Sequence, residues 1–253
     1  MGEWTDGLAG GLSGKFSAVG DEIVPESGAI RARVLGQVAE TVLAVERGHP
    51  VRVAVDGPSA AGKTTLADEL ADVVRGRTER EVIRAGLDYF KRAPELRTTY
   101  PIESPESYYY EVYDNEAIRA RLLEPLGPGG DRRYTTALRE SNAVTVVDAP
   151  VRTASPQAIL IADGCFLQRP ELDECWDLRL YVHVSFETVL HRGTERDAAW
   201  MDSPEAAAHR YRTRYVPGEQ LYVDQIRPAD RAQLLVSNED PAAPVLSRRL
   251  TDS

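Results

Sequence analysis

Short apolar runs and amphipathic stretches alternate along most of the chain. Five mostly apolar runs have the length of strands, at positions 51–55, 81–85, 158–162, 178–184 and 232–236. Between them, apolar residues recur with helical spacing at about 63–75, 114–123, 186–198 and 204–215. Another helical pattern runs from Ser27 to the stop signal Gly48–Pro50. Because strands and helices alternate, we predict an α/β fold with a parallel sheet covered by helices on both faces.

Composition and turn signals divide the chain into one short segment and one domain. Residues 1–27 are rich in glycine and small polar residues, so we predict a flexible N-terminal segment there. Residues 28–253 are predicted to form a single domain. The turn cluster Gly127–Gly130 predicts a hairpin-like stretch at about 131–149, inside an insertion that spans about 91–150 and lies beside the main sheet.

The loop after the first predicted strand of the sheet carries the most informative motif. Residues 57–64 read Gly-Pro-Ser-Ala-Ala-Gly-Lys-Thr, which is the phosphate-binding P-loop pattern, and a helical pattern follows it. Backbone N–H groups of such a loop surround phosphates, and the helix N-terminus adds a favourable dipole. The motif also predicts that the lysine reaches the β- and γ-phosphates and that the threonine hydroxyl ligates Mg²⁺. We therefore expect a nucleotide to contact Gly57, Ser59, Ala60, Ala61, Gly62, Lys63, Thr64 and Thr65.

Two carboxylates follow predicted strands at the edge where ligands bind in parallel sheets. Asp88 stands just after the second strand, where it could orient or deprotonate a hydroxyl that accepts a phosphoryl group, or could hold Mg²⁺ through water. Asp163 closes an apolar strand, as does the acidic Mg²⁺ ligand of other P-loop proteins. The ordinary alternative for each is a helix cap or loop aspartate.

Arginines and tyrosines supply further candidates. Arg192 and Arg196 lie four residues apart on one predicted helix, so both guanidinium groups share a face and could neutralise a phosphoryl group in transfer. A solvated face with ordinary ion pairs is the alternative. Tyr108, in the run Tyr108–Tyr110, and Tyr134 could stack on a planar base, although such residues more often pack an insertion against the core.

Bulk composition narrows the class of protein. The net charge of −10 gives no electrostatic support for binding nucleic acid. The two cysteines show no metal-binding or disulfide spacing. No apolar run approaches the roughly 18 residues of a membrane span, and no secretory signal pattern begins the sequence. We therefore expect a cytoplasmic protein without membrane or nucleic-acid partners, and the sequence leaves a homo-oligomer open.

Longer stretches resemble the uridine kinase branch of the P-loop kinases, which also includes phosphoribulokinase and bacterial pantothenate kinase. They are GPSAAGKTT at 57–65, LDYF at 87–90, SPESYYYEVYDNEAIRARLLEPLGPGGDRRY at 104–134, ILIADGCFLQRPELDECWDLRLYVHVSFETVLHRGTERD at 159–197 and RYRTRYVPGEQLY at 210–222. The resemblance covers about residues 50 to 245 and looks most like actinobacterial members. It implies a three-layer α/β/α P-loop NTPase fold with a five-stranded parallel sheet, a small insertion and an arginine-bearing lid at about 192–222.

The resemblance also implies ATP, Mg²⁺ and a primary hydroxyl as acceptor. By this likeness Lys63, Asp88, Arg192 and Arg196 are catalytic, Thr64 and Asp163 hold the metal, and the adenine lies near Asn238–Pro241. For the acceptor, the matching positions are Asp88, Tyr108, Glu111, Tyr134 and Arg139.

Three of these positions depart from the family pattern. Asp163 replaces the usual glutamate, Glu111 is the one acidic residue in the stretch that would hold a ribose, and Arg139 stands where a histidine reads the pyrimidine.

These residues together predict an ATP-dependent kinase of a small-molecule hydroxyl, with a nucleoside such as uridine or cytidine as the first expectation. A sugar, a pantothenate-like alcohol or a specialised metabolite is the alternative within the same enzyme class. The arginine at position 139 favours an anionic acceptor over a neutral one. A nucleotide-binding regulator without turnover is a third interpretation, which the intact Lys63, Thr64 and Asp88 disfavour.

Overall fold

The structure, a computed structural model, describes residues 17–19, 22–24 and 26–248. Within these residues ten strands form: β1 (Ser17–Val19), β2 (Glu22–Val24), β3 (Val51–Asp56), β4 (Val82–Gly86), β5 (Arg133–Tyr134), β6 (Arg152–Thr153), β7 (Ile159–Gly164), β8 (Leu178–His183), β9 (Leu234–Ser237) and β10 (Val245–Arg248). The α-helices of this part are α1 (Glu26–Leu43), α2 (Lys63–Arg75), α3 (Asn115–Ile118), α4 (Pro170–Asp173), α5 (Phe186–Asp197), α6 (Pro204–Arg210), α7 (Val216–Ile226) and α8 (Pro228–Arg231).

The central sheet has the strand order β10-β9-β8-β3-β7-β4. Its last five strands are mutually parallel, and β10 pairs antiparallel with β9. The predicted α/β class and all five predicted strands are therefore confirmed. The sixth strand was not predicted, because four residues near the end of the chain give too short a pattern to distinguish from a loop.

Both faces of the central strands are buried, as a sheet between two helical layers requires. Every residue of β3 and of β7 is buried. One face packs against α1 and α2, and the other packs against Tyr109 and Leu122 of the insertion and against Phe166, which follows β7. Burial of each large side chain contributes roughly 1.5–3 kcal/mol, so the two layers fix the position of the strand ends.

The register of these strands brings the predicted site residues to one edge. Asp163 lies opposite Val55 of β3 and opposite Gly86 of β4. The P-loop follows β3, and Asp88 follows β4 in a short 3₁₀ turn, Leu87–Phe90. The P-loop, Asp88 and Asp163 therefore meet at the carboxyl ends of three adjacent strands, as predicted.

The insertion and the lid region differ in detail from the sequence pattern. The hairpin-like stretch closes through β5 and β6, so it extends beyond the predicted end at residue 149. The helix predicted at 204–215 continues instead to Ile226, through a π-helical turn at Tyr211–Tyr215. Pro217 does not end this helix, because it lies in the first turn after the π-helical segment, where its missing N–H is tolerated.

Most of the predicted flexible segment, residues 1–27, lies outside the described residues. Within it, β1 and β2 pair as antiparallel strands. None of the helices that the structure describes is both long and apolar enough to cross a membrane.

We predict that Gly193→Ala destabilises the fold. A Cβ at Gly193, in α5, would lie 2.2 Å from Cζ of the buried Tyr211 ring. The overpacking outweighs the better helix propensity of alanine, and we expect a net loss of about 1–2 kcal/mol. Urea unfolding measures the change. Gly48→Ala is the control, since a Cβ there has nothing within 4 Å, and a similar loss in both variants would contradict the prediction.

Candidate active site

The backbone conformation of the P-loop depends on its two glycines, Gly57 and Gly62. Gly57 has φ 152° and Gly62 has φ 86°, which side-chain-bearing residues rarely adopt. A Cβ at Gly57 would lie 2.4 Å from the carbonyl oxygen of Val182, and one at Gly62 would lie 2.7 Å from Nδ2 of Asn238. Asn238 also donates to the carbonyl of Ala61 at 2.7 Å. The loop is therefore held from outside by the strand ends of β8 and β9.

The first turn of α2 offers an anion site. No side chain caps this helix, so its N-terminal N–H groups face the loop. The Lys63 side chain is almost fully buried, and Nζ donates to the carbonyl of Pro58 at 2.6 Å. Burial lowers the pKa of Lys63, but the charges of Cys165, Glu219, Asp163 and Asp88 outweigh burial and raise it above its ordinary value. Lys63 therefore stays protonated and available to phosphates.

Thr64 and Asp163 form the pair that would hold a metal ion. The Thr64 hydroxyl donates to Oδ2 of Asp163 at 2.6 Å. The other carboxylate oxygen pairs with Arg84 of β4 at 2.7 Å, which fixes the orientation of the carboxylate. A threonine hydroxyl beside an aspartate at the end of the neighbouring strand is the donor set that Mg²⁺ meets in P-loop proteins. The residues present therefore fit Mg²⁺ on a nucleotide in the loop.

Asp88 lies just past the end of β4 and keeps its charge. Its side chain is 54% exposed, and Oδ1 accepts from the Tyr113 hydroxyl at 3.0 Å and from Lys91 at 3.1 Å. Desolvation by the surrounding residues raises the pKa of Asp88, but the charge and hydrogen bond of Lys91, with Tyr113 and Lys63, lower it below its ordinary value. An ionised, accessible carboxylate can accept a proton from a bound hydroxyl.

A fully buried carboxylate behind the loop was missed by sequence reasoning. Oδ1 of Asp56 accepts from the amide N–H of Gly57 at 2.8 Å and of Leu167 at 3.3 Å. Oδ2 accepts from Gln168 at 3.0 Å and from the Tyr222 hydroxyl at 2.5 Å. The one available signal was its place directly before Gly57. Asp56 therefore links β3, the P-loop and α7.

A second missed carboxylate contacts the loop from α7. Glu219 is 1% exposed, and its Oε1 accepts from the Ser59 amide at 2.7 Å and from the Tyr108 hydroxyl at 3.3 Å. Tyr108 also lies 3.0 Å from the Ser59 hydroxyl. The predicted site residue Tyr108 thus contacts the P-loop, through its hydroxyl rather than as an open stacking surface.

The two predicted lid arginines occupy different surroundings. Arg192 donates to the carbonyls of Asn238 and Glu239, at 3.1 and 2.6 Å, in the stretch predicted to border the adenine. Arg196 pairs with Asp197 at 2.7 Å and contacts the Tyr211 hydroxyl at 3.1 Å. Its hydrogen bond to Asp197 raises the pKa of Arg196, to which the charge of Asp88 also contributes. Arg196 therefore lies within electrostatic reach of Asp88.

The three remaining residues predicted to bind the acceptor, Arg139, Glu111 and Tyr134, lie in different places. Arg139 is joined to Tyr89, next to Asp88, by a backbone hydrogen bond of 3.0 Å. Glu111 accepts from the amides of Thr99 and Tyr100, at 2.9 and 3.4 Å.

Tyr134 is buried and pairs with Arg152 of β6. Ser155, two residues after β6, donates its amide N–H to the Glu81 carboxylate at 2.7 Å. Glu81 immediately precedes β4, so the hairpin that carries Tyr134 lies at the end of β4 opposite Asp88.

Comparisons with known proteins support the fold. No protein-family model matches the sequence, and no curated protein matches it. Among solved structures, a "possible uridine kinase" from Bacillus stearothermophilus aligns with a TM-score of 0.63, 21% identity and coverage of 81% of this chain and 98% of that chain. A protein provisionally assigned as a fructose transport system kinase from Silicibacter sp. TM1040 aligns at 0.61, with 19% identity and coverage of 75% and 94%.

A third similar structure is the D-glycerate 3-kinase of Cryptococcus neoformans, with a TM-score of 0.51, 12% identity and coverage of 75% and 89%. At such identities, structural likeness establishes the fold. The chain therefore has the P-loop kinase fold that the sequence resemblance implies, and the likeness to actinobacterial members stays a prediction.

We predict that Glu219→Gln changes how stability depends on pH. Burial raises the pKa of Glu219, and the hydrogen bonds from Ser59 lower it only in part. The folded chain therefore binds this proton more tightly than the unfolded chain. Stability of the wild type must fall as pH rises from the ordinary glutamate pKa through the raised one.

Thermal unfolding at pH values between about 5 and 8 tests this expectation, since glutamate ordinarily titrates near 4.3. The stability of Glu219→Gln relative to wild type should increase with pH. Glu79→Gln, at an exposed loop position, is the control. A difference between Glu219→Gln and wild type that is independent of pH would show that the prediction is wrong.

Proposed function

We propose that the protein is an ATP-dependent kinase that phosphorylates a hydroxyl group of a small molecule. The observation that carries this proposal is the meeting of Lys63, Thr64, Asp163 and Asp88 at one edge of the sheet. The first three supply the phosphate and metal donors, and the fourth supplies an ionised carboxylate on the opposite side of the cleft. A protein that only binds nucleotides would not need Asp88 in this position.

In this mechanism each side chain has one task. The loop amides and Lys63 would hold the β- and γ-phosphates of ATP, and Thr64 and Asp163 would hold Mg²⁺, which when bound would neutralise charge that develops on the phosphate oxygens. Asp88 orients the acceptor hydroxyl and takes its proton. Arg196, whose guanidinium feels the charge of Asp88, stabilises the phosphoryl group during transfer.

The acceptor is the part of the proposal with two candidates. A nucleoside is supported by the similar fold of the "possible uridine kinase". A non-nucleoside alcohol is supported by the fructose transport system kinase and the D-glycerate 3-kinase with the same fold. The positions of Tyr134 and Glu111 favour the second candidate, because neither side chain faces Asp88 with a free stacking surface or an unpaired carboxylate.

We predict that Asp88→Asn abolishes most of the turnover and leaves ATP binding intact. Loss of a positioned general base typically lowers the rate by about 10²–10⁴-fold. The experiment measures ADP release with nucleosides, sugars, hydroxy acids and pantothenate as acceptors, and nucleotide binding by titration. Asp148→Asn is the control, because that aspartate is exposed in the insertion.

Full activity of Asp88→Asn would contradict the role of the base. ATP binding with no turnover on any acceptor would instead favour a nucleotide-binding regulator.

We further predict that Asp163→Asn raises the Mg²⁺ concentration needed for half-maximal activity by about tenfold or more. The reason is that, among the residues that the structure describes, Asp163 is the one whose side chain contacts the Thr64 hydroxyl. Mg²⁺ titrations of activity and of nucleotide binding measure the effect. Asp68→Asn is the matched control, because Asp68 also pairs with Arg84, at 2.9 Å, but is 59% exposed on α2. If both variants had an equal effect, its cause would be the loss of an ion-pair partner of Arg84 rather than the loss of a metal ligand, and the prediction would be wrong.

A further inference from the structure

One arginine of the helical lid region is buried with almost no compensating charge. The Arg214 side chain is 5% exposed, and its guanidinium lies over the rings of Tyr108 and Tyr215, 5.8 and 5.6 Å from their centroids. Its nearest carboxylate is Glu103, at 3.5 Å, and its Nε has no hydrogen-bond partner in the described part of the chain. A buried charge is costly unless it is paired and hydrogen-bonded, so this guanidinium is prepared for an anion.

A second arginine lies at the same place. Arg210, one helical turn before Arg214, pairs with Glu103 at 2.8 Å and has a buried Nε without a partner among the described residues. We call Arg210 and Arg214 the arginine cluster.

The arginine cluster carries an excess of positive charge. Glu103 is 62% exposed and is shared between Arg210 and Arg214. In a chain of net charge −10, two arginines that share one exposed glutamate reverse the local sign of the charge.

The arginine cluster adjoins the proposed phosphoryl-transfer site. Tyr108, whose ring lies under Arg214, reaches Ser59 of the P-loop with its hydroxyl. An anion bound by Arg214 would therefore lie beside Ser59 of the P-loop, apart from the phosphate donors Lys63 and Thr64.

We infer that the arginine cluster binds an anionic group, a carboxylate or a phosphate, on the acceptor molecule itself. The acceptor is then an alcohol that carries negative charge, such as a hydroxy acid or a phosphorylated sugar, rather than a neutral nucleoside. This inference rests on the proposed function, because an acceptor exists only if the protein is a kinase. Binding of an anion to the arginine cluster can nevertheless be tested without turnover. Guanidinium groups recognise both anions through paired N–H donors.

The first experiment measures anion binding directly. Inorganic phosphate is titrated calorimetrically into the protein saturated with Mg²⁺ and a non-hydrolysable ATP analogue, so that the P-loop is occupied. We expect phosphate binding to the wild type and a loss of about tenfold or more in Arg214→Gln, because a hydrogen bond to a charged group is removed. Arg214→Lys should bind with intermediate affinity, since it keeps the charge and loses the paired donors.

Arg212→Gln is the matched control, because it removes the same charge from an exposed position two residues away on the same helix. Wild-type affinity in Arg212→Gln would support a local site. Equal loss in both variants would indicate a general electrostatic effect and overturn the inference, as would phosphate binding that Arg214→Gln does not weaken.

The second experiment compares acceptors with and without an anionic group. Matched pairs are D-glycerate with glycerol and a hexose phosphate with the hexose. We expect the charged member of at least one pair to have the higher kcat/KM, and Arg214→Gln to raise its KM by about tenfold or more while the KM for ATP changes little. A rise in the KM for ATP with every acceptor would assign the arginine cluster to the nucleotide phosphates. Preference for neutral acceptors would likewise overturn the inference.

Together, the two experiments distinguish a failure of the kinase proposal from a failure of the anion-site proposal. Phosphate binding that depends on Arg214, without turnover of any acceptor, would contradict the kinase proposal and retain the anion site. Turnover of neutral acceptors, without phosphate binding, would retain the kinase and contradict the anion site.

Discussion

The buried carboxylate of Asp56 is the interaction on which the rest of the site depends. It has no exposed surface, and burial raises its pKa despite four hydrogen bonds that favour the charged form. Those bonds come from the start of the P-loop at Gly57, from the loop after β7 at Leu167 and Gln168, and from Tyr222 on α7. Since a buried carboxylate that loses partners costs several kcal/mol, these three segments cannot move independently.

The position of α7 has consequences at the other side of the P-loop. Glu219 lies three residues before Tyr222 on the same helix, so both side chains face the loop. While Tyr222 holds Asp56, Glu219 accepts from Ser59, and the preceding π-helical turn places Arg214 over Tyr108. The continuous helix from Pro204 to Ile226 therefore sets the distance between the phosphate-binding loop and the arginine cluster.

The sequence predicted the parts of the site that depend on local order along the chain. The P-loop, Asp88 and Asp163 each directly follow a strand, and parallel strands place such residues at one edge. The roles of Tyr134 and Arg214 could not be predicted in this way, because each depends on which distant segment packs against it. Periodicity reports the buried face of an element but not its neighbour across the sheet. The hairpin that carries Tyr134 accordingly packs at the opposite end of β4, where Ser155 donates to Glu81.

The charges around the site give the strongest argument that the acceptor is anionic rather than neutral. The charges of Asp88, Asp163 and Glu219 all act on the buried Lys63, so the site is already acidic before a triphosphate binds. An anionic acceptor entering this cleft would be repelled, by about 4 kcal/mol for two unit charges 4 Å apart at an effective dielectric constant of 20. The arginine cluster offsets that repulsion beside the P-loop. A neutral acceptor would meet no such repulsion. The exposed Glu103, at 3.5 Å, would then be the nearest carboxylate to the buried charge of Arg214, and it offsets the desolvation of that charge poorly.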